Sequence, residues 1–228
     1  MSAQNSQNPE KSRRPGRPKG AVASAETRER LIDTALEIFS HQDVAETSLN
    51  AIAKAAGVTP AMLHYYFHSR EQLLDEIVEQ RFMPLRRQLA DIFINHPDDP
   101  HSALHQMVKT LAHLADKHPW FPRLWLQNIE GGAQLLRQHM CARVGDVTQS
   151  PAMLAVRRWQ QEGKVNPALV PELIMPTLLS LILIPLTRIS QAPRGSAFPA
   201  LTQDQVVDHA LSLLDSGMFA QPPSRSTP

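Results

Sequence analysis

The sequence predicts an all-α protein, and three observations support this prediction. Apolar residues recur at helical spacing through most of the chain, as at Leu31, Ala35 and Phe39. No region alternates β-branched with polar residues over the length of a strand. The 228 residues include only nine glycines, and alanine and leucine, which favour helices, are frequent. We therefore expect a helical N-terminal unit joined by a long helix to a larger helical domain.

The domain organisation follows from composition. Residues 1–23 are polar, basic and proline-containing, and we expect a disordered arm there and a disordered tail at 221–228. A first folded unit is predicted over 24–84 and a second over 85–220, with one helix running from Ser69 towards Ile94. Within the second unit, further helices are predicted at 101–117, 120–131, 133–144, 151–162, 168–190 and 203–219.

Residues 48–67 have the pattern of a helix-turn-helix unit, whose second helix enters the major groove of DNA. Thr47 or Ser48 can cap a first short helix that stops at Gly57, and Thr59 followed by Pro60 suits the start of the second. Leu63 and Phe67, four residues apart, would pack inward. The outward positions are then Thr59, Ala61, Met62, His64 and Tyr65.

Two runs, TSLNAIAKAAGVT at 47–59 and LHYYFHSREQLL at 63–74, resemble the DNA-binding domain of the TetR family of bacterial regulators. The resemblance covers about residues 25–80; His64 departs from the tyrosine usual in the family. It implies that Thr47, Tyr66 and Arg70 contact phosphates, which set register. It also implies that the outward residues of the second helix approach base edges, which set sequence preference: Thr59, Ala61, Met62, His64 and Tyr65.

For the whole chain, the resemblance implies a homodimer on palindromic, double-stranded operator DNA. The C-terminal domain would hold an unknown small-molecule effector that releases the DNA, which makes the chain a repressor. The alternative is a DNA-binding regulator without such an effector, either an activator or one controlled by a protein partner.

The N-terminal arm carries an acid-free basic run from Lys11 to Lys19, and its Gly-Arg-Pro at 16–18 is similar to an AT-hook. Extended Arg-Pro segments fit the narrow minor groove of A·T tracts. We therefore expect Arg14, Arg17 and Lys19 to contact the minor groove beside each half-site. The alternative is a solvated tail.

Large apolar side chains at 120–125 indicate a ligand pocket, because such sites are mostly apolar with a few polar groups. The candidate ligand-binding residues are Trp120, Phe121, Trp125, Asn128 and Arg157. Ordinary core packing is the alternative for the three aromatic residues.

The segment Leu173–Ile189 is the most apolar in the chain. Together with the helix at 203–219 it is predicted to form a four-helix bundle across a two-fold axis, with Ile182 and Leu211 as interface candidates. The uncharged stretch 173–187 is shorter than a bilayer span and contains two prolines. We therefore expect a cytoplasmic protein without membrane contact.

Other function classes find little support in the sequence. No specific nucleophile–base pair, phosphate loop or metal motif is recognisable, so we expect no enzyme activity, no cofactor and no metal. His101 and His105 have a spacing compatible with a metal, with Asp98 and Asp99 just before them, but solvated histidines at a helix start are favoured. Cys141 is the single cysteine, which excludes an intramolecular disulfide.

Overall fold

A computed structural model describes residues 19–130, 134–191 and 201–219, and these are helical except for short connections and one isolated bridge between Val165 and Phe219. The N-terminal helices are α1 (Lys19–Phe39), α2 (Leu49–Ala55), α3 (Pro60–Tyr66), α4 (Arg70–Ile77) and α5 (Met83–Asn95). They are followed by α6 (Pro100–Lys117), α7 (Trp120–Leu124), α8 (Gln134–Val144), α9 (Pro151–Gln161), α10 (Pro171–Gln191) and α11 (Gln203–Gly217). The predicted all-α class is confirmed.

Helix α1 begins earlier than the sequence predicted. Its backbone is helical from Lys19, so the last five residues of the arm expected over 1–23 belong to a helix. The physical reason is the alanine-rich run 21–25, which has high helix propensity, together with the absence of proline between Pro18 and Pro60. Residues 1–18 and the tail at 221–228 lie outside the described residues.

The first three helices close around a small apolar core. Phe39 of α1, Ile52 of α2, and Leu63 and Phe67 at the end of α3 are all at most 1% exposed. Ion pairs hold α1 to the helices that follow, since Arg28 reaches Glu76 at 2.5 Å and Arg81 reaches Glu29 at 2.6 Å. The three-helix unit therefore has a fixed orientation on α4.

Helices α4 and α5 form one continuous rod interrupted by a π-helical turn at Val78–Phe82. Pro84 lies in the first turn of α5 and has no N–H to donate, so one α-helical hydrogen bond is absent at this point of the rod. The π turn lies immediately before this proline, and prolines and π turns are both recognised causes of irregularity in long helices. The long helix predicted from Ser69 is thus observed, and the predicted division between 84 and 85 falls inside it.

The C-terminal helices pack around α6, which contacts α5, α10 and α11 and buries most of one side. Trp159 of α9 is fully buried; its indole Nε1 donates to the Pro97 carbonyl at 2.7 Å, and its ring lies 6.1 Å from Phe93. These contacts anchor α9 to the end of α5 and leave a space between them nearer the middle of α5.

Helix α10 remains largely uncovered in the single chain. Its segment Pro171–Ile189 is long and apolar enough to cross a membrane by length and composition, and 22% of it is buried. This span is longer than the uncharged 173–187 considered from sequence because it includes the charged Glu172 and Arg188, and the helix runs through both Pro176 and Pro185. Leu173 and Ile184 of α10 and Leu213 of α11 expose between 40% and 59% of their surface.

Candidate nucleic-acid interface and ligand cavity

The turn between α2 and α3 is fixed by backbone hydrogen bonds. Gly57 has φ +70, and the N–H groups of Gly57 and Val58 donate to the carbonyls of Lys54 and Ala53 at 3.2 and 3.0 Å. This pair of bonds is the Schellman ending of a helix, which favours glycine at the left-handed position. The sharp turn sets α3 across α2, as a helix-turn-helix requires.

Helix α3 is short, capped and two-sided. Thr59 accepts a hydrogen bond from the Met62 N–H at 3.3 Å, and Pro60 occupies the first helical position, as predicted. Leu63 and Phe67 are fully buried. The other side is open to solvent: Thr59, Ala61, Met62, His64 and Tyr65 are all exposed, with Tyr65 at 75%. The structure therefore places the predicted base-reading residues on one free face.

Tyr66 lies at the edge of this face. It is half-buried, its ring packs edge-on against Tyr65 at 5.3 Å, and its hydroxyl donates to Ser24 Oγ at 3.2 Å. The hydroxyl is thus held near the start of α1, within the group of side chains that surround α3. Its role as a phosphate contact stays a prediction.

Thr47 and Arg70 differ from the expectation that they contact phosphates. Thr47 is 2% exposed, and its hydroxyl donates to the Asp43 carbonyl while accepting from Gln42 Nε2. The Arg70 guanidinium donates to the carbonyls of Ala45 and Thr47 at 2.9 and 2.7 Å. Both side chains hold the loop before α2. Ser48, not Thr47, caps α2, accepting from the Ala51 N–H at 3.1 Å.

Most of the basic arm lies outside the residues that the structure describes. Arg14 and Arg17 lie outside the described residues, and of Lys19 only the helical backbone is described. An extended arm therefore has to end before Lys19, which corrects the expectation that Lys19 belongs to it. The minor-groove contact of Arg14 and Arg17 stays a prediction.

A cavity of about 350 Å³ lies between helices α5 to α10. Its wall includes four methionines, one on each of four helices: Met107, Met140, Met153 and Met175. Methionine is flexible and polarizable, so it adapts to ligands of different shape. The size and apolar lining are those of a small-molecule site.

The structure places some predicted ligand residues at this cavity and others elsewhere. Phe121 and Trp125 line it. Trp120 does not line the cavity; its ring packs edge-on, at 5.2 Å, against Phe82, which does. Arg157 is also absent from the wall and pairs with Glu172 at 2.7 Å. The side chain of Asn128 lies outside the described residues.

The charged side chains that line the cavity were not predicted from the sequence. Glu172 and Arg86 both line it, and the Arg157 hydrogen bond lowers the pKa of Glu172. Glu172 lies in the first turn of α10, and Arg86 lies on α5. The apolar residues of both segments indicated helices, and these two charges were not recognised as cavity residues. An arginine inside an otherwise apolar helical face was the available signal for Arg86.

Helix α8 connects this cavity to α4. Met140 and Val144 line the cavity, while His139 and Arg143 lie on another side of α8 and reach Asp75 at 2.6 and 2.9 Å. The His139 hydrogen bond lowers the pKa of Asp75, with burial opposing and Arg143 assisting. One short helix therefore contacts both the cavity and the rod that carries the helix-turn-helix.

Helix α7 makes a second connection. Phe121 and the adjoining Trp125 line the cavity, and Arg123 between them extends to His41, just after α1, with Nη1 to Nε2 at 3.2 Å. Two separate contacts thus link the cavity wall to the N-terminal unit.

Comparison with known proteins identifies the N-terminal unit. Residues 31–77 match the model of the family described as bacterial regulatory proteins, tetR family. The chain is 37% identical over 83 residues to the HTH-type transcriptional regulator AcrR of Shigella flexneri, a match covering 36% of this chain and 39% of that protein. The matched part thus spans about two fifths of that relative's length.

Solved structures share the architecture over most of the chain. Native NalD of Pseudomonas aeruginosa is 22% identical with a TM-score of 0.62, covering 87% of this chain and all of that one. KstR2 of Mycobacterium tuberculosis is 18% identical with a TM-score of 0.64, covering 85% of this chain and 95% of that one. At these identities the likeness shows the fold.

Proposed function

Because this chain belongs, through its N-terminal domain, to the tetR family of bacterial regulatory proteins, we propose that it is a cytoplasmic transcriptional repressor released from operator DNA by a small molecule. The observation that carries the proposal is the free face of α3. Five residues are exposed on this helix, while its other side packs into the buried core of the helix-turn-helix. Such a face is what a recognition helix presents to the major groove.

The effector step rests on the cavity and its two connections. A ligand between α5, α8 and α10 would displace α8, whose His139 and Arg143 hold Asp75 of α4. It would also displace α7, whose Arg123 reaches His41. Since α4 supports the helix-turn-helix through Arg70, and His41 directly follows α1 of the same unit, a shift of either contact would change the orientation of α3. A ligand releases DNA only if it prefers the shifted state.

The sign of regulation is proposed by analogy. NalD is described as the secondary repressor of the MexAB-OprM multidrug efflux pump. An apolar cavity lined by adaptable methionines would suit the release of a repressor by apolar compounds.

Dimerisation is proposed from the uncovered apolar surface of α10 and α11. Leu173, Ile184 and Leu213 are each at least 40% exposed. Two copies of this helix pair can bury these side chains in a four-helix bundle about a two-fold axis, which suits a palindromic operator.

The first experiment selects bound sequences from random double-stranded DNA with the full-length protein. We expect enrichment of a palindrome whose half-sites are related by the protein's two-fold axis, and the absence of any enriched sequence would overturn the proposal. A thermal-shift screen of apolar compounds then identifies ligands, which should raise Tm and release the selected DNA.

The variant Ala90→Phe tests the location of the effector, because Ala90 lines the cavity. It should abolish both the Tm rise and DNA release. The matched control is Ala142→Phe at an exposed position of α8, which should respond like the parent. DNA binding that no compound affects would favour the regulator without an effector.

A further inference from the structure

Two imidazoles and a carboxylate converge where the start of α6 lies against the end of α11. His105 Nε2 lies 2.6 Å from Asp215 Oδ1, and His101 Nε2 lies 3.3 Å from the same oxygen. The two imidazole rings are stacked with centroids 3.9 Å apart. The potential ligand atoms of all three residues lie within 4.8 Å of one another. None of the three residues lines the ligand cavity.

Both helices hold these side chains on rigid backbone. The spacing of four residues puts both histidines on one face of α6, whose first turn is capped by Asp99 accepting from the Ser102 N–H. The end of α11 is fixed because Asn166 donates to the carbonyls of Met218 and Gly217 at 2.9 and 3.1 Å. Metal sites built on regular elements keep their geometry better than sites on loops.

The surroundings add an apolar backing and an open side. Phe219, held in the bridge to Val165, packs on the His101 ring at 5.1 Å. His105 is 19% exposed, whereas His101 and Asp215 are 58% and 47% exposed. The cluster is thus shielded on one side and reachable from solvent on the other, so an ion can enter and leave.

We propose that His101, His105 and Asp215 form a binding site for a divalent transition metal of the Zn²⁺ class. Two imidazole nitrogens and one carboxylate oxygen suit Zn²⁺, Co²⁺ or Ni²⁺, whereas Mg²⁺ and Ca²⁺ prefer sets made of oxygen alone. Water completes the coordination, since the three residues occupy three positions. Without a metal, His105 Nε2 is hydrogen-bonded to Asp215 Oδ1, and His101 Nε2 lies 3.3 Å from the same oxygen.

The bound ion would join the first two turns of α6 to the last turn of α11. Binding requires imidazoles without a proton on the ligating nitrogen, so it releases any proton held there. Metal binding at this cluster would be independent of DNA binding. A metal site here would replace the expectation, made from the sequence, that the protein holds no metal. The carboxylate beside the two histidines is that of Asp215, from the other end of the domain, and not that of Asp98 or Asp99, the acids considered from the sequence.

The test is isothermal titration of the full-length, metal-stripped protein with Zn²⁺, with Mg²⁺ as a second probe. We expect one saturable Zn²⁺ site per chain, a rise of Tm with Zn²⁺ and no comparable effect of Mg²⁺. His105→Ala and Asp215→Asn should each raise the Kd for Zn²⁺ at least about 10-fold. Zn²⁺ binding that is absent, or that Mg²⁺ reproduces, would overturn the proposal.

Matched controls come from the same two helices. His113→Ala on α6 and His209→Ala on α11 change exposed histidines outside the cluster, and should leave the Kd within about two-fold. Equal weakening by these controls would mean scattered surface binding. If His105→Ala lowers Tm in chelator, the more exposed His101→Ala provides the same comparison. The visible absorption of bound Co²⁺ should be lost in the cluster variants and retained in the controls.

Discussion

The guanidinium of Arg70 donates a hydrogen bond of 2.7 Å to the carbonyl oxygen of Thr47. A second donation, to Ala45, fixes the same loop. Arg70 opens α4, and the loop leads into α2, so this side chain joins the linker rod directly to the helix-turn-helix. The contact makes Arg70 a positioning residue for α2 and α3.

The first prediction concerns this contact. Arg70→Ala should lower the free energy of unfolding by about 1.5–3 kcal/mol, the range for hydrogen bonds to charged groups. It should also weaken binding to specific and random DNA alike, because α2 and α3 lose their common support. The exposed Arg87→Ala, which loses only a 3.5 Å pair with Glu79, should change stability by less than about 0.5 kcal/mol. Unchanged stability in Arg70→Ala, measured by denaturant unfolding, would contradict the positioning role.

The second prediction concerns sequence reading by α3. His64 is exposed on the free face, and replacing it with alanine should cost about 1–3 kcal/mol at one position of each half-site if the imidazole bonds a base. Fluorescence anisotropy with the selected operator and single-base variants measures this. His113→Ala, distant on α6, is the control. Equal losses on operator and random DNA would show that His64 does not read sequence.

The third prediction concerns the dimer. Ile182, an interface candidate from sequence, is fully buried within the chain, so a charge there would unfold the subunit. The exposed Ile184 and Leu213 are the better probes. The parent protein should be a dimer at micromolar concentration, and Ile184→Asp or Leu213→Asp should convert it to a folded monomer. Light scattering measures this change. Leu154→Asp, 49% exposed on α9, should leave the dimer intact. A monomeric parent protein would contradict the two-fold arrangement.

The fourth prediction concerns pH. The hydrogen bond with His139 lowers the pKa of Asp75 below the usual value of an aspartate. A lowered folded-state pKa adds stability above the unfolded-state pKa, and this contribution is lost as pH falls through the folded value. Unfolding experiments should therefore show that the stability difference between the parent and Asp75→Asn shrinks in acid. Asp91→Asn, exposed on α5, is the reference. A difference that grows as pH falls would contradict the shift.

Local patterns predicted the helix-turn-helix well. The capping by Thr59, the turn at Gly57 and the burial of Leu63 and Phe67 depend on residues within a few positions of one another. Most second-domain helices were also predicted within a few residues at each end, because their apolar periodicity is strong. The helix predicted at 120–131 is instead the short α7 followed by a π-helical segment, Trp125–Glu130.

Contacts between distant segments were not predictable from one sequence. Nothing near His105 indicates Asp215, which lies 110 positions further along the chain. Nor does any local pattern indicate that Arg70 turns towards carbonyls 23 and 25 residues earlier. The cavity was predicted only in part, since Phe121 and Trp125 were found but the residues of α5, α9 and α10 that complete the wall were not.

The π turn at Val78–Phe82 has a consequence for building chimeric sensors. The family match ends at residue 77, immediately before the turn, and Phe82 then lines the cavity. Asp75 and Glu79 on either side of this junction hold Arg143 of α8. A graft joined at residue 77 would therefore cut the rod between paired side chains, and a functional hybrid should carry α4, the turn and α8 from the same parent.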